Sequence, residues 1–324
     1  MSSSIARTAG RVTGRPSGGA SSAPAGARIL RSSTRRGESA ALAALRLAAL
    51  LSVAITVGIV VSLLIPALDF FREVPLGEFL TGTRWTPRFA DASYGVLPLV
   101  TATAWATLIA LAVAVPFGIG AAIYLSEYAP TRVRTTLKPI LELLAGVPTV
   151  VFGYFALLWV TPLLRDTLGI TLKPFNLLSA GLVMGAMIIP TVASISEDAM
   201  SAVPGELRQG SAALGANRMQ TSLRVVVPAA FSGIVAAIVL GISRAVGETM
   251  IVTIAGGQQA QMVRSPGQGG ATMTAFIANA ALGDSRVGSL EYNTLYAVGL
   301  LLFALTLVVN LVAIQLVRRF RQEY

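Results

Sequence analysis

Cysteine and histidine are both absent from the 324 residues. Without thiols there is no disulfide, no thiolate nucleophile and no cysteine-ligated metal. Without imidazole, a histidine metal site, a histidine base and a Ser-His-Asp triad are excluded within this chain. Lysine is nearly absent too, occurring only as Lys138 and Lys173. Neither stands in a G-x-x-x-x-G-K-[ST] stretch, so the chain carries no phosphate-cradling ATPase loop and any ATP-derived energy must come from another chain. Charge of either sign is scarce: 12% of residues are Asp, Glu, Lys or Arg, against 54% hydrophobic, with a mean hydropathy of +0.71. That balance is too apolar for an ordinary soluble domain and indicates an integral membrane protein.

Six apolar stretches are long enough to cross a bilayer, which takes about 20 residues. They lie near 42–67, 97–125, 140–164, 176–196, 229–254 and 294–317. The expected fold is therefore all-α, with six transmembrane helices in a domain over 41–324. Residues 1–40, rich in Ser, Gly, Ala and Arg and without apolar periodicity, read as a disordered tail. Arg35-Arg36 ahead of an apolar run suggests a twin-arginine export signal, but the long span that follows fits a positive-inside anchor better. The net charge of +10 has the same source. With the N-terminus inside, seventeen of the 25 Lys and Arg fall on the cytoplasmic side and seven on the outer side. Arg244 alone stands deep in a span. Both termini are expected in the cytoplasm, and basic residues so distributed speak for membrane lipid rather than nucleic acid as the surrounding partner.

The longest polar segment between spans is cytoplasmic, 197–228. Pro204 suits a helix start and Gly215 a helix end, so two short helices are expected, with Pro228 opening the next span. This segment resembles the docking loop of ABC importer permeases, E-A-A, three residues, G, nine residues, I-x-L-P. The glycine is Gly215, the nine residues run from Ala216 to Arg224, and the ending is Val225-Val226-Val227-Pro228. The opening triplet falls on Gln209, Gly210 and Ser211, so a neutral amide replaces the glutamate. The stretches "ILELLAGVPTVVFGY" and "SRAVGETM", with Trp85-Thr86-Pro87 and Tyr94-Gly95-Val96-Leu97-Pro98, are similar to the C-type permease (PstC) of phosphate-specific ABC importers. The resemblance covers roughly residues 60–320.

The resemblance implies a five-helix type I importer (MetI-like) core with an extra first helix. It implies a bacterial inner-membrane location, a heterodimeric pore with an A-type permease, two copies of a cytoplasmic ATPase that bind the ATP and Mg²⁺, and an external phosphate-binding protein. Gln209, Gly210, Ser211, Gly215, Met219 and Pro228 are the residues expected to meet the ATPase. The chain itself is then a transport subunit, not an enzyme, and holds no cofactor.

Arg244 and Glu248 are the charges that the span 229–254 would bury. Arg244 lies roughly 22 Å along it at 1.5 Å per residue, where arginine costs about 2.5 to 3.5 kcal/mol on translocon scales. Four residues apart on one helix, the two would be within side-chain reach. One reading is an ion pair that only fastens the bundle. The other is a phosphate pathway in which the guanidinium fork meets phosphate oxygens, Glu248 orients Arg244 in the empty state, and Ser243 and Thr249 lie alongside. Glu142, near the start of the third span, reads as gating support that pairs with Lys138. Glu197 and Asp198 read as caps of the polar loop. The glycine-rich stretch 256–273 reads either as an anion nest or as a flexible outer loop contacting the binding protein. Two rival functions stay open: a permease for another oxyanion or small solute, and an ion-coupled secondary transporter using Arg244 and Glu248 as a relay.

Overall fold

A computed structural model describes residues 35–320. Most of the expected tail, 1–34, and the last four residues lie outside them. Helix α1, Arg35–Glu73, begins ahead of the expected boundary at residue 41. The chain divides into two units, 1–57 and 58–324. In the first, α1 exposes an apolar surface all round, from Leu45 and Leu47 to Val57, as a lipid-facing helix must.

The second unit continues with α2 (Leu76–Thr81), α3 (Leu97–Ile123), α4 (Thr131–Ala145), α5 (Thr149–Phe155) and α6 (Leu177–Ser201). Short helices α7 (Gly205–Ala213), α8 (Arg218–Thr221) and α9 (Val227–Ala229) lead into α10 (Phe231–Gly247). After a short helical turn at 250–256 come α11 (Met273–Ala281) and α12 (Leu290–Phe320). Among the described residues five helices are long and apolar enough to span a membrane. A sixth is counted when Arg218–Ala229 and Phe231–Gly247, bent by 72°, are taken as one.

Small residues decide the central packing. Ala102, Ala106, Ala110 and Ala114 recur every four residues on α3 and are all buried. They face Gly181 and Gly185 of α6, four apart in turn. A Cβ at Gly185 would stand 2.7 Å from the Ala110 carbonyl oxygen, so only glycine lets the two backbones approach this closely. In lipid, where apolar surface gains little by leaving the solvent, such close van der Waals contact is what associates helices.

Three apolar clusters stack along the unit. A central one joins α3, α6 and the turn at 250–256 through Met184, Met187, Ile188 and Ile251. Toward one face Ala122, Met200, Val203, Val226, Ala230 and Ile234 pack together; we call this the basal face. At the opposite, distal face Phe70, Phe79, Trp85 and Met273 form a knot in which Phe70 and Phe79 meet edge to face, 5.7 Å between ring centres. Trp85 and Tyr94 pair as an antiparallel bridge there, held by Gly82 against Gly95. Burying each of these aromatic side chains is worth about 2 to 3 kcal/mol.

The third span starts later than the sequence pattern suggests. Residues 131–145 form the separate helix α4, amphipathic and without a buried residue. The chain turns at Gly146 and Val147, and Pro148 caps the helix that spans, Thr149–Thr167. A proline at that position ends one helix and starts another because it cannot donate to the turn before it.

Candidate functional site

The segment that carries Arg244 and Glu248 is broken, not continuous. Helix α10 ends at Gly247, and Glu248 has extended backbone angles, φ −67° and ψ 130°. Its carboxylate accepts hydrogen bonds from the backbone N–H groups of Met250 (3.0 Å) and Ile251 (3.2 Å). Its carbonyl oxygen accepts from the Thr274 hydroxyl at 2.7 Å. Inside a bilayer no water is available for freed backbone groups, so a break is tolerated only where side chains satisfy them. Glu248 and Thr274 do that here, and both are buried.

The expected i, i+4 pair therefore does not form. Helical spacing failed as a guide because the helix stops one residue before Glu248, whose carboxylate is taken by the turn it caps. Arg244 is half-buried, and its guanidinium forms no hydrogen bond or ion pair with any described residue. Its depth can be read from α6: a Cβ on Gly241 would touch Val192 and Ile188, near the middle of that helix, and one on Gly256 would touch Leu177 at its distal end. Arg244 thus lies slightly distal of mid-helix. Ser243 donates to Asn310 Oδ1 of α12 (3.2 Å) and Thr249 to the Gly247 carbonyl (3.3 Å), so these two hydroxyls brace the break.

On the basal face the expected helix, glycine break and second helix appear in that order. Pro204 caps α7, Gly215 has a φ of +82° that residues with a side chain rarely adopt, and Asn217 with Gln220 forms a capping box on α8. Gln209, Gly210 and Met219 are exposed, as are Leu214 and Leu223. Ser211 is tied to Thr221 across the two helices at 2.9 Å. Pro228 does not open the next span; it lies in the helical run that precedes the 72° bend at Ala230.

Charged residues anchor this face. Arg208 of α7 reaches Glu127 beyond α3 (2.9 Å) and the carbonyls of Met200 (2.8 Å) and Val203 (2.6 Å). Glu197, whose side chain is 0% exposed, receives Arg134, Lys138 (2.8 Å) and Ser201 (2.8 Å), while Lys138 also bonds Asp198. These contacts, Asp198 first and Glu197 next, raise the pKa of the Lys138 ammonium.

Two expectations are corrected by this cluster. Glu142 is exposed on α4 and does not receive Lys138, whose ammonium turns to Glu197 and Asp198 instead. Glu197 is a buried counter-charge binding α4 to α6, not a loop cap. Only tertiary contact reveals it, since its partners are about sixty residues away in sequence.

The glycine-rich stretch is likewise packed. Gly269 and Gly270 are buried, Gly270 N–H bonds the Gly256 carbonyl (2.9 Å), Gln261 bonds Gly269 (2.7 Å), and Lys173 N–H bonds Gly267 (3.1 Å). A Cβ at Gly269 would stand 2.7 Å from the Phe175 carbonyl. Glycine serves close backbone approach here, so the flexible-loop reading does not hold.

Residues 114–322 match the family described as "Binding-protein-dependent transport system inner membrane component". The chain is 38% identical over 260 residues to the probable ABC transporter permease protein YqgH of Bacillus subtilis, covering 80% of this chain and 84% of the relative. It is 32% identical over 292 residues to the phosphate transport system permease protein PstC of Haemophilus influenzae, covering 85% and 91%. To PstC 1 of Mycobacterium tuberculosis it is 34% identical over 280 residues, covering 75% and 82%. Among solved structures, a chain of the MetNI methionine ABC transporter aligns with a TM-score of 0.51 at 21% identity, covering 70% of this chain and 95% of that one. A chain of a bacterial ABC transporter that imports alginate aligns with a TM-score of 0.54 at 14% identity, covering 84% and 99%. At such identities the structures speak for the fold alone, the type I importer core that the spans and docking helices suggested. The family match covers well over half the chain and takes in the docking helices, the broken helix and α12, so the protein is a member of the binding-protein-dependent transport system inner membrane component family.

Proposed function

We propose that the chain is a pore-forming permease subunit of an ATP-driven importer of inorganic phosphate. A separate ATPase supplies the energy, and an external binding protein delivers the anion. Support for phosphate comes from the relatives named PstC together with one feature of the site: an arginine without an ion-pair partner among the described residues, beside a helix break in the middle of the bundle. A guanidinium is charged at any relevant pH and presents a rigid donor fork that suits phosphate oxygens. With the Glu248 carboxylate engaged by Met250 and Ile251, Arg244 keeps its full charge for a passing anion.

The basal face is the cytoplasmic one in this reading, in keeping with its arginines, and the exposed helices α7 and α8 seat in a groove of the ATPase. The pore is completed by an A-type permease, with two ATPase copies beneath. Arg208 links the docking helix to the ends of α3 and α6, giving ATPase closure a rigid route to the transmembrane helices. The test is uptake of radiolabelled phosphate into cells or vesicles on co-expression with the ATPase, the A-type permease and the binding protein. ATP-dependent uptake that sulfate and molybdate do not compete supports the assignment. Uptake that needs no ATPase would point to the ion-coupled alternative, and competition by another oxyanion to a different substrate.

Glu248 acts as a positioning residue in this scheme. Glu248→Asp shortens the reach to both N–H groups, and Glu248→Ala leaves them without an acceptor, a cost of about 1 to 3 kcal/mol per buried group. Glu248→Gln keeps one acceptor oxygen and removes the charge. The expected order of uptake is wild type, then Gln, then Ala. Equal uptake by Ala and Gln variants at equal abundance would show that the cap plays no part.

A further inference from the structure

One feature not used above is a cavity of about 460 Å³ on the distal side of the helix break. Its walls are the turn before α6, at Lys173 to Phe175, the Thr253 face of the turn at 250–256, and the loop residues Gln258, Gln259 and Gln261. No carboxylate lines it. Two of the other sizeable cavities among the described residues contain carboxylates, and in the remaining one the lining cation is paired. One holds Asp69 and Glu73, with Arg72 paired to Asp69 at 2.7 Å. Another has no carboxylate in its lining, but its cation Arg88 is paired to Glu291 at 3.0 Å. A third, on the basal face, contains Glu206.

Lys173 forms no ion pair with a described residue, and its side chain is exposed at the cavity wall. Its backbone is pinned from both sides, by Gly267 and by Asn176, whose amide donates to the Lys173 carbonyl at 3.1 Å. The ammonium is therefore carried on a fixed stem base. Thr253 is nine residues beyond Arg244, on the other side of the helix break at Glu248. Arg244 is not among the residues that line the cavity, so the cavity and the arginine are separate places on the chain.

We propose that this cavity is a waiting site for the transported oxyanion, between its release on the distal face and its passage to Arg244. The inference rests on reading the chain as an oxyanion importer. A tetrahedral anion with several waters fits the volume, each water taking about 30 Å³. The Lys173 ammonium offers charge, and the carboxamides offer N–H donors to the anion oxygens. Carboxamide oxygens also accept from P–OH groups without adding negative charge. Hydrogenphosphate carries such protons and sulfate does not, so the lining favours phosphate between the two.

Reconstituted importer in proteoliposomes, with substrate-loaded binding protein, provides the test. Lys173→Gln is expected to lower anion moved per ATP about fivefold, the loss of one charge-assisted contact, with ATP hydrolysis stimulated as in wild type. Lys173→Arg recovers most of the transport, and Gln259→Glu, which adds a negative charge to the same wall, lowers it again. Wild-type coupling in Lys173→Gln overturns the proposal. A parallel fall of uptake and stimulated hydrolysis overturns it too, because it marks Lys173 as a docking contact of the binding protein. Each variant is assayed with phosphate and with sulfate. If sulfate alone is moved, the substrate assignment fails, and a fivefold Lys173 effect on sulfate still supports the waiting site. A complex that moves neither anion defeats both.

Discussion

Arg244→Ala is expected to lower phosphate uptake at least about 100-fold in an importer that still assembles and still hydrolyses ATP. Two hydrogen bonds from a guanidinium to an anion are worth about 1.5 to 3 kcal/mol each in a site sheltered from water, and tenfold in rate corresponds to about 1.4 kcal/mol. The folded structure loses little, because the Arg244 side chain bonds to no described residue. Lysine at this position keeps the charge but not the fork, and an intermediate rate is expected. Uptake is measured at equal membrane abundance, with ATPase activity as the control for assembly. Uptake within about twofold of wild type would remove Arg244 from the pathway.

The double variant Arg134→Ala/Lys138→Ala is expected to lose about 3 to 5 kcal/mol of stability, the range measured when a buried charge is left without its partner. The asymmetry of the cluster dictates which side to remove. Glu197 is fully buried, whereas Arg134 and Lys138 remain 39% and 28% exposed. Deleting the carboxylate leaves cations that can turn to water. Deleting both cations strands a carboxylate that cannot. A third substitution, Glu197→Gln, added to the double variant is therefore expected to restore most of the loss. Thermal unfolding in detergent reads all three proteins. An unchanged midpoint in the double variant, or no recovery in the triple, would show that α4 is held to α6 by other contacts. Since α4 has no buried residue of its own, the same double variant should also free this helix for proteolysis at Gly146.

Much of this protein is legible in its residues because a membrane imposes simple rules. Length and hydropathy place the ends of α3 and α12 within about four residues and those of α1 and α6 within about seven, since a helix facing lipid needs a long apolar run and no particular partner. The docking segment is legible for a different reason. Pro204 and Gly215 are local devices whose effect on the backbone requires no distant contact.

Three features escaped the linear pattern. Apolar residues at 140–145 looked like the start of a span, but they form one side of the amphipathic helix α4, and the turn at Gly146 to Pro148 separates them from the bilayer-crossing segment. Arg244 and Glu248 stood at helical spacing, yet the helix ends between them. The glycines of 256–273 suggested flexibility where they allow backbone contact.

By itself the sequence determined the membrane environment, the order of helices, the docking element and the lone deep arginine, because these depend on composition and on interactions within a turn or two. Tertiary structure alone decided what each buried charge does. Glu248 became a helix cap because Met250 and Ile251 present unsatisfied N–H groups beside it, and Glu197 a counter-charge because α4 folds back across α6. A buried ionised group must find a partner wherever the fold supplies one, and the nearest partner in space is rarely the one that spacing along the chain suggests.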